Sequence, residues 1–345
     1  MKQSQPGIAF EKLNSARRKA VRLSQQEMIN TYYLRPEKTP PLVMEPALAG
    51  VDLLSWAGGQ REFLNSCLLK DGAILFRNFE LKSASEFEEL IRSLSGELLE
   101  YHDRSTPRRP VSNNIYTSTE YPSDQSIELH NECSYAHAWP MRIFFHCVSP
   151  AERGGETPIA DCRKVLERIS PQTRKHFMEK KVMYVRNFDA GYGASWQSVL
   201  GTEDRAAVEE YFRINRVEYE WQGASRLKTR QVRPATARHP QTSETVWFNQ
   251  VTAFHVSTLD AATRKMFLEE LSEENIPKNA YFGDGSVIEA RLLEELREAY
   301  GRETVAFAWQ AGDVLMLDNM LVAHGREPFT GPRRIVVTMA DSTSA

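Results

Sequence analysis

Two short stretches, far apart in the chain, constrain its fold more than anything else: Glu128-Leu129-His130-Asn131-Glu132-Cys133-Ser134-Tyr135 and Asp318-Asn319-Met320-Leu321-Val322-Ala323-His324-Gly325. Together they offer two imidazoles and one carboxylate, a set that can hold iron. A fold that uses all three must bring the middle of the chain against its end. On an extended backbone, residues two apart point to the same side. The spacing therefore predicts that His130 and Glu132 share a strand face while Asn131 turns away.

Hydrophobic residues make up 41% of the 345 residues and charged residues 26%, with a net charge of −3. That supplies a sizeable core and an ordinary surface, with no basic excess to suggest nucleic acid. Met1 to Ser15 contain no apolar run of the signal-peptide kind. No window approaches the roughly 18 apolar residues of a membrane span. Cys67, Cys133, Cys147 and Cys162 form no CxxC pair, so the expected home is a reducing cytoplasm. We read residues 1–345 as one domain, with 1–45 as an N-terminal helix and extended lead-in; the sequence leaves the oligomeric state open.

Arg17, Arg18, Lys19 and Arg22 fall in a segment, 10–35, whose pattern predicts a surface helix ending before Pro36. Helical spacing recurs over 56–69 and 83–94, on either side of a short apolar strand, Ala73-Ile74-Leu75-Phe76. The polar stretch 102–125 resembles a binding loop. Further strands are expected at 141–148, 182–185, 245–250, 314–317 and 333–339. Helices are expected at 171–180, with Ser170 as cap and Pro171 at the first position, and at 203–213, 260–274 and 288–299. Gly154-Gly155 permits a tight turn just before Thr157.

Two histidines and a carboxylate with open positions form the facial triad of non-haem Fe(II) oxygenases. Ten residues after His324 stands Arg334, whose planar guanidinium would suit a dicarboxylate as an anchor. Arg333 reads as a brace of the strand or surface. Trp309, Trp247 and Phe248 read as core or pocket wall, and His239, Asp313 and Asp318 as structural. His137, His146 and His255 are weaker candidates to face a pocket.

In this order the motifs resemble those of the TauD/TfdA-like Fe(II)/2-oxoglutarate-dependent dioxygenases: HNE at 130–132, GGET at 154–157, HP and WFN within 239–249, WQxGD at 309–313, DN at 318–319, His324 and Arg334. The chain is most similar to the SyrP-like and clavaminate synthase-like branch that carries HxE. The resemblance implies an α+β fold with a double-stranded β-helix, or jelly-roll, core braced by α-helices and helical inserts. It implies His130, Glu132 and His324 as iron ligands, and Arg334 with Thr157 as the 2-oxoglutarate site. On the substrate side Ser126, Asn131, Trp247 and Asn249 are candidates.

The implied cofactor is Fe(II), with 2-oxoglutarate and O2 as cosubstrates and succinate and CO2 as co-products. The implied reaction is hydroxylation of an unactivated C–H bond of an amino acid or amino-acid-derived substrate, free or carrier-protein-bound, in natural-product biosynthesis. Desaturation or cyclisation at the same iron, a catabolic dioxygenase and a non-catalytic scaffold are the alternatives. Glu132 fills the place that related halogenases leave for chloride, which argues against halogenation. Thr338 stands where the taurine enzyme has a second arginine, so taurine activity does not carry over.

Overall fold

The computed structural model describes residues 25–35, 38–81, 83–99, 110–112, 115–118, 121–188, 191, 193–223 and 225–344. Most of the basic segment expected as a helix, including Arg17 to Arg22, lies outside them. Its described end is extended rather than helical, running as Gln25–Met28 in a single 3-10 turn and then as the strand Ile29–Arg35. The reason is local, since the β-branched and aromatic run Ile29-Asn30-Thr31-Tyr32-Tyr33 fits a pleated surface better than a helix.

Among the described residues, the largest sheet has eight strands. In spatial order they are Ile29–Arg35, Lys38–Pro46, Ala73–Phe76, Val314–Asp318, Ala138–Ser149, Arg334–Ser344, Ile115–Thr117 and Pro110–Ser112. Lys38–Pro46 runs parallel to Ala73–Phe76 and the other pairs are antiparallel. A smaller sheet joins Ile127–His130, Val322–Arg326 and Ile159–Asp161. A four-stranded sheet is ordered Glu218–Gln222, Arg226–Arg233, Val182–Phe188 and Lys278–Phe282.

The strands of the large sheet are apolar on both faces, because each face covers a different core. Ile143, Phe145, Leu315, Leu317, Ile335 and Val337 share one buried cluster with Ile159 and Val322 of the small sheet and Tyr184 and Phe282 of the four-stranded one. Phe144, Val314, Met316 and Val336 point the other way and pack on Leu64, Leu68, Phe87, Leu90 and Ile91. The period of two along each strand makes this division. Each fully buried large side chain contributes about 1.5–3 kcal/mol.

Those last five residues belong to the helices Arg61–Asp71 and Ala84–Leu94. The helix expected over 56–69 is in fact two, Leu53–Gly58 and Arg61–Asp71, broken at Gly58-Gly59, where paired glycines carry the highest entropic cost of a helical backbone. Ser83 caps the next helix by accepting the Glu86 amide at 3.1 Å. Pro171–Lys180 starts as expected, with Ser170 accepting the Thr173 amide. None of the described helices is long and apolar enough to cross a membrane.

A buried ion pair fixes the start of the central strand Val314–Asp318. Arg77 donates through Nε and Nη2 to the two Asp313 oxygens at 3.1 and 2.7 Å, and through Nη2 to the Ala308 carbonyl at 2.9 Å. The Asp313 side chain is 0% exposed. Removing one partner strands the other charge in the core, so Arg77→Met should lower the unfolding free energy by about 3–5 kcal/mol. Urea denaturation checks this, and a loss below about 1 kcal/mol would show that the pair is not under load.

Candidate active site

Two antiparallel strands carry the histidines to each other. His324, in Val322–Arg326, pairs directly with His130, the last residue of Ile127–His130, and their ring centroids lie 4.5 Å apart. The strands approach closely because Gly325 has no side chain: a Cβ there would lie 2.5 Å from the Ile127 carbonyl oxygen. His130 Nδ1 sits 2.8 Å from the Glu128 carbonyl. A carbonyl can only accept, so Nδ1 carries the proton and Nε2 is left with its lone pair.

Glu132 joins this pair by a route the sequence did not suggest. The strand stops at His130, and residues 132–135 form a turn in which Cys133 adopts φ 57. That left-handed conformation costs a non-glycine residue roughly 1–2 kcal/mol. The expectation of a shared strand face is therefore corrected: the turn, not β alternation, brings the carboxylate round. Glu132 Oε2 lies 4.0 Å from Nε2 of both His130 and His324.

Asn319 holds the turn. Its Oδ1 accepts the Glu132 amide at 2.7 Å, while Nδ2 donates to the Glu132 carbonyl at 2.9 Å and the Pro140 carbonyl at 2.8 Å. Asn131 returns the contact, donating to the Asn319 carbonyl at 2.7 Å and lying 3.3 Å from Cys162 Sγ. Gln250 and Ser134 both donate to the Asn131 carbonyl, at 2.7 and 2.9 Å. Asp318 accepts the amides of Met320 and Leu321 and stands 3.0 Å from His239 Nε2. His239 Nδ1 accepts the Gln241 and Thr242 amides, so its Nε2 carries the proton and donates. Sequence reading placed Asp318 and His239 as structural but did not see that Asn319 ties the two motifs together.

The three donor atoms lie within 4.8 Å of one another. Two donors each about 2.1 Å from a common first-row ion are at most about 4.2 Å apart, so the two imidazole–carboxylate distances are within reach of one ion. The Glu132 and His324 side chains are 2% and 5% exposed, whereas that of His130 retains 16%. The donor set, its burial and the oriented His130 tautomer fit a divalent iron site with one open side.

That open side is a recess lined by His130, His324, Thr157, Ser118, Arg326 and Arg333. The cations that reach it are Arg333 and Arg326, not Arg334. Arg333 donates from Nε to the Gly155 carbonyl at 3.0 Å and from Nη1 to Ser118 Oγ at 3.2 Å. Arg334 is exposed and lines a recess on the opposite face of the sheet, with Phe79, Gly312 and Val336. Arg333 stands two residues before Ile335, on the parity that faces Phe145 and the site. Because Ile335, Val336 and Val337 are all apolar, alternation in the sequence does not show which parity is inward.

Burial, and then the neighbouring Arg326 guanidinium, lower Arg333 to about 10, which leaves it a cation at neutral pH. Gly155 (φ 74) makes room for it, since a Cβ would lie 2.9 Å from Arg333 Cδ. Thr157 is buried, and its hydroxyl accepts from Trp309 Nε1 at 3.2 Å. Arg326 was missed in the sequence, although it follows His324 by two residues on the same strand. It is 5% exposed, and its guanidinium donates to the carbonyls of Tyr121, Pro122 and Gln125, fixing the loop that enters the first histidine strand.

The four substrate-side candidates are not gathered at this recess. Asn131 is 0% exposed and engaged as described above. Trp247 is also fully buried, edge-on to Phe177 at 5.5 Å. Asn249 donates to the Ala235 carbonyl at 2.8 Å and accepts the Val251 amide at 3.0 Å, bracing the turn into a short helix. Ser126 lies exposed on the loop before the histidine strand. Nor do His137, His146 or His255 line the recess; His146 packs on Phe87 across the sheet at 5.1 Å.

With the geometry established, comparison with known proteins gives consistent relatives. Residues 36–339 match the family described as taurine catabolism dioxygenase TauD, TfdA family. The dapdiamide synthesis protein DdaC of Enterobacter agglomerans is 39% identical over 81% of this chain and 84% of its own length. A clavaminate synthase-like protein of Arabidopsis thaliana is 31% identical over the same shares. Among solved structures, PvcB from Pseudomonas aeruginosa superposes with a TM-score of 0.56 at 16% identity, covering 92% of each chain.

Outer partners of metal ligands set affinity at about the 10–100-fold level. Asn319→Ala, which removes two bonds to Glu132 and one to the Pro140 carbonyl, should weaken Co(II) binding by at least about ten-fold. Titration of the cobalt absorbance band measures it, and unchanged affinity would show that the turn holds Glu132 without Asn319.

Proposed function

Because this chain belongs to the TauD, TfdA family of dioxygenases, we propose that it is an Fe(II)- and 2-oxoglutarate-dependent dioxygenase. It hydroxylates a C–H bond of an amino acid or amino-acid-derived small molecule, free or carrier-protein-bound, in natural-product biosynthesis. The observation that carries this reading is a recess lined by His130 and His324, whose donor atoms gather with that of Glu132, together with the Arg333 guanidinium and the Thr157 hydroxyl. The two sheets that flank the donors support a double-stranded β-helix core.

In this reading His130, Glu132 and His324 hold Fe(II), which when bound supplies the oxidising chemistry with O2 and 2-oxoglutarate. Arg333 binds the distal carboxylate of 2-oxoglutarate, and its bonds to Gly155 and Ser118 fix the direction in which its remaining N–H groups point. Thr157, already accepting from Trp309, can donate its hydroxyl proton to the same carboxylate. Phe145, 5.2 Å from the His324 ring, gives the recess an apolar wall that excludes water.

Two relatives favour biosynthesis over catabolism. DdaC is named for dapdiamide synthesis, and PvcB is described as an Fe, alpha-ketoglutarate dependent oxygenase from an isonitrile synthetic pathway. Desaturation or cyclisation would use the same residues and differ only in how the substrate is placed.

Anaerobic addition of Fe(II) and 2-oxoglutarate should give a weak visible charge-transfer band, followed by succinate on admitting air; absence of both would reassign the chain to a non-catalytic scaffold. Arg333→Ala should raise the 2-oxoglutarate concentration needed for half-maximal succinate formation by at least about 30-fold, the loss of one charge-assisted contact of about 2 kcal/mol. Arg334→Ala should leave it within about two-fold. The reverse pattern would restore Arg334 as the anchor.

A further inference from the structure

Apart from the histidine recess, a cavity of about 260 Å³ opens against the turn that carries Glu132. Ser134 of that turn, Ala136 just after it and Met320, which follows Asn319, form part of its wall. The cavity and the recess share no lining residue among those described. Trp139 and Phe248, packed on each other at 5.0 Å, make much of the remaining wall apolar, together with Pro234 and Ala237. Its volume is close to that of the smallest small-molecule sites, about 300 Å³.

Two arginines line the same cavity, and every bond that either makes goes to a neutral group. Arg233, which ends the strand Arg226–Arg233, is 9% exposed. It donates from Nε to the Ala136 carbonyl at 3.2 Å, from Nη1 to the Val232 carbonyl at 3.2 Å, and from Nη2 to the Asn215 carbonyl at 2.9 Å and Gln231 Oε1 at 3.0 Å. A guanidinium has five N–H groups, so one on Nη1 is left over. Arg238 is exposed and donates from Nε to the Ser243 carbonyl at 3.1 Å, which leaves both Nη groups free. Burial pushes Arg233 below the ordinary arginine range, and Arg216 adds a like charge. Burial, then Arg216 and Arg233, likewise lower His137. Buried charges are retained where something offsets them. Bracing the turn accounts for Arg233 Nε, but not for a second unpaired guanidinium on the same cavity.

We infer that this cavity is a second ligand site, taking a small organic acid with an aromatic or apolar body, its carboxylate on Arg233 and Arg238 and its body on Trp139 and Phe248. The planar guanidinium offers a carboxylate parallel N–H donors, and the two aromatic side chains suit a flat apolar body. The inference needs no metal and stands independently of the dioxygenase reading. An occupant bears on the metal-binding turn through Arg233, whose Nε holds the carbonyl of Ala136, four residues after Glu132.

Fluorine NMR of 4-fluorobenzoate with the whole chain tests this, read with Zn(II) and 2-oxoglutarate in excess to occupy the histidine recess. The benzoate should bind saturably, and its neutral analogue 4-fluorobenzamide at least about ten-fold more weakly, the loss of one charge-assisted contact. Arg233→Lys, which keeps the charge but loses the planar fork, should weaken benzoate binding about ten-fold. Arg238→Gln, at an exposed position that no buried contact depends on, should weaken it about three-fold. Arg333→Ala should leave it within about two-fold. No saturable binding, equal affinity for acid and amide, or unchanged binding in either variant of the cavity arginines would overturn the site. Displacement by 2-oxoglutarate, or loss of binding in Arg333→Ala, would overturn it as well, because the benzoate would then be sitting in the histidine recess. Neither succinate nor the charge-transfer band is read, so failure here leaves the dioxygenase reading standing, and failure of that reading leaves this site to be judged by its own variants.

Discussion

One side-chain amide joins the halves of the site. Asn319 accepts the Glu132 amide and donates to the Glu132 and Pro140 carbonyls, while Asn131 donates back to the Asn319 carbonyl. All four bonds are buried, and each contributes about 1 kcal/mol net, with a larger penalty if one partner is removed. An amide is required rather than an acid, because this position must accept from one peptide group and donate to two others. The strained Cys133 backbone is affordable only because its neighbours are held in this way.

The same logic explains how the two histidines meet. Register between Ile127–His130 and Val322–Arg326 places them opposite each other, and a slip of one residue would turn one ring to the other side of the sheet. Several features act against that slip. Gly325 admits the neighbouring backbone, Asp318 holds the turn that precedes its strand, and Arg326 grips the loop that precedes the other one. The metal donors are thus positioned by residues that never approach a metal.

Local signals were legible in the sequence, and parity was not. Ala73–Phe76, Pro171–Lys180 and the Ser170 cap follow from short-range chemistry, and the structure places them where that chemistry puts them. The grouping of His130, Glu132, His324 and Thr157 was also legible, because motif order survives whatever path the chain takes between motifs. The choice between Arg333 and Arg334 was not, since a strand buried on both faces gives no alternation to read. Asn131 and Asn249 misled for a related reason: a polar residue next to a reactive motif is as well used holding the backbone as touching a ligand, and burial decides between those uses.

Charge placement separates the two ends of the molecule's interior. Two buried carboxylates sit against a partner, Asp313 with Arg77 and Asp318 with His239. Positive charge at the recess is arranged differently: Arg333 and Arg326 are adjacent cations. Both line the recess beside the histidines, where the Arg333 guanidinium is held by the Gly155 carbonyl and the Ser118 hydroxyl. Such pairs cost stability in the protein alone, and an arriving anion relieves that cost. A cationic recess beside one donor set is what holding an anionic cosubstrate next to a metal requires.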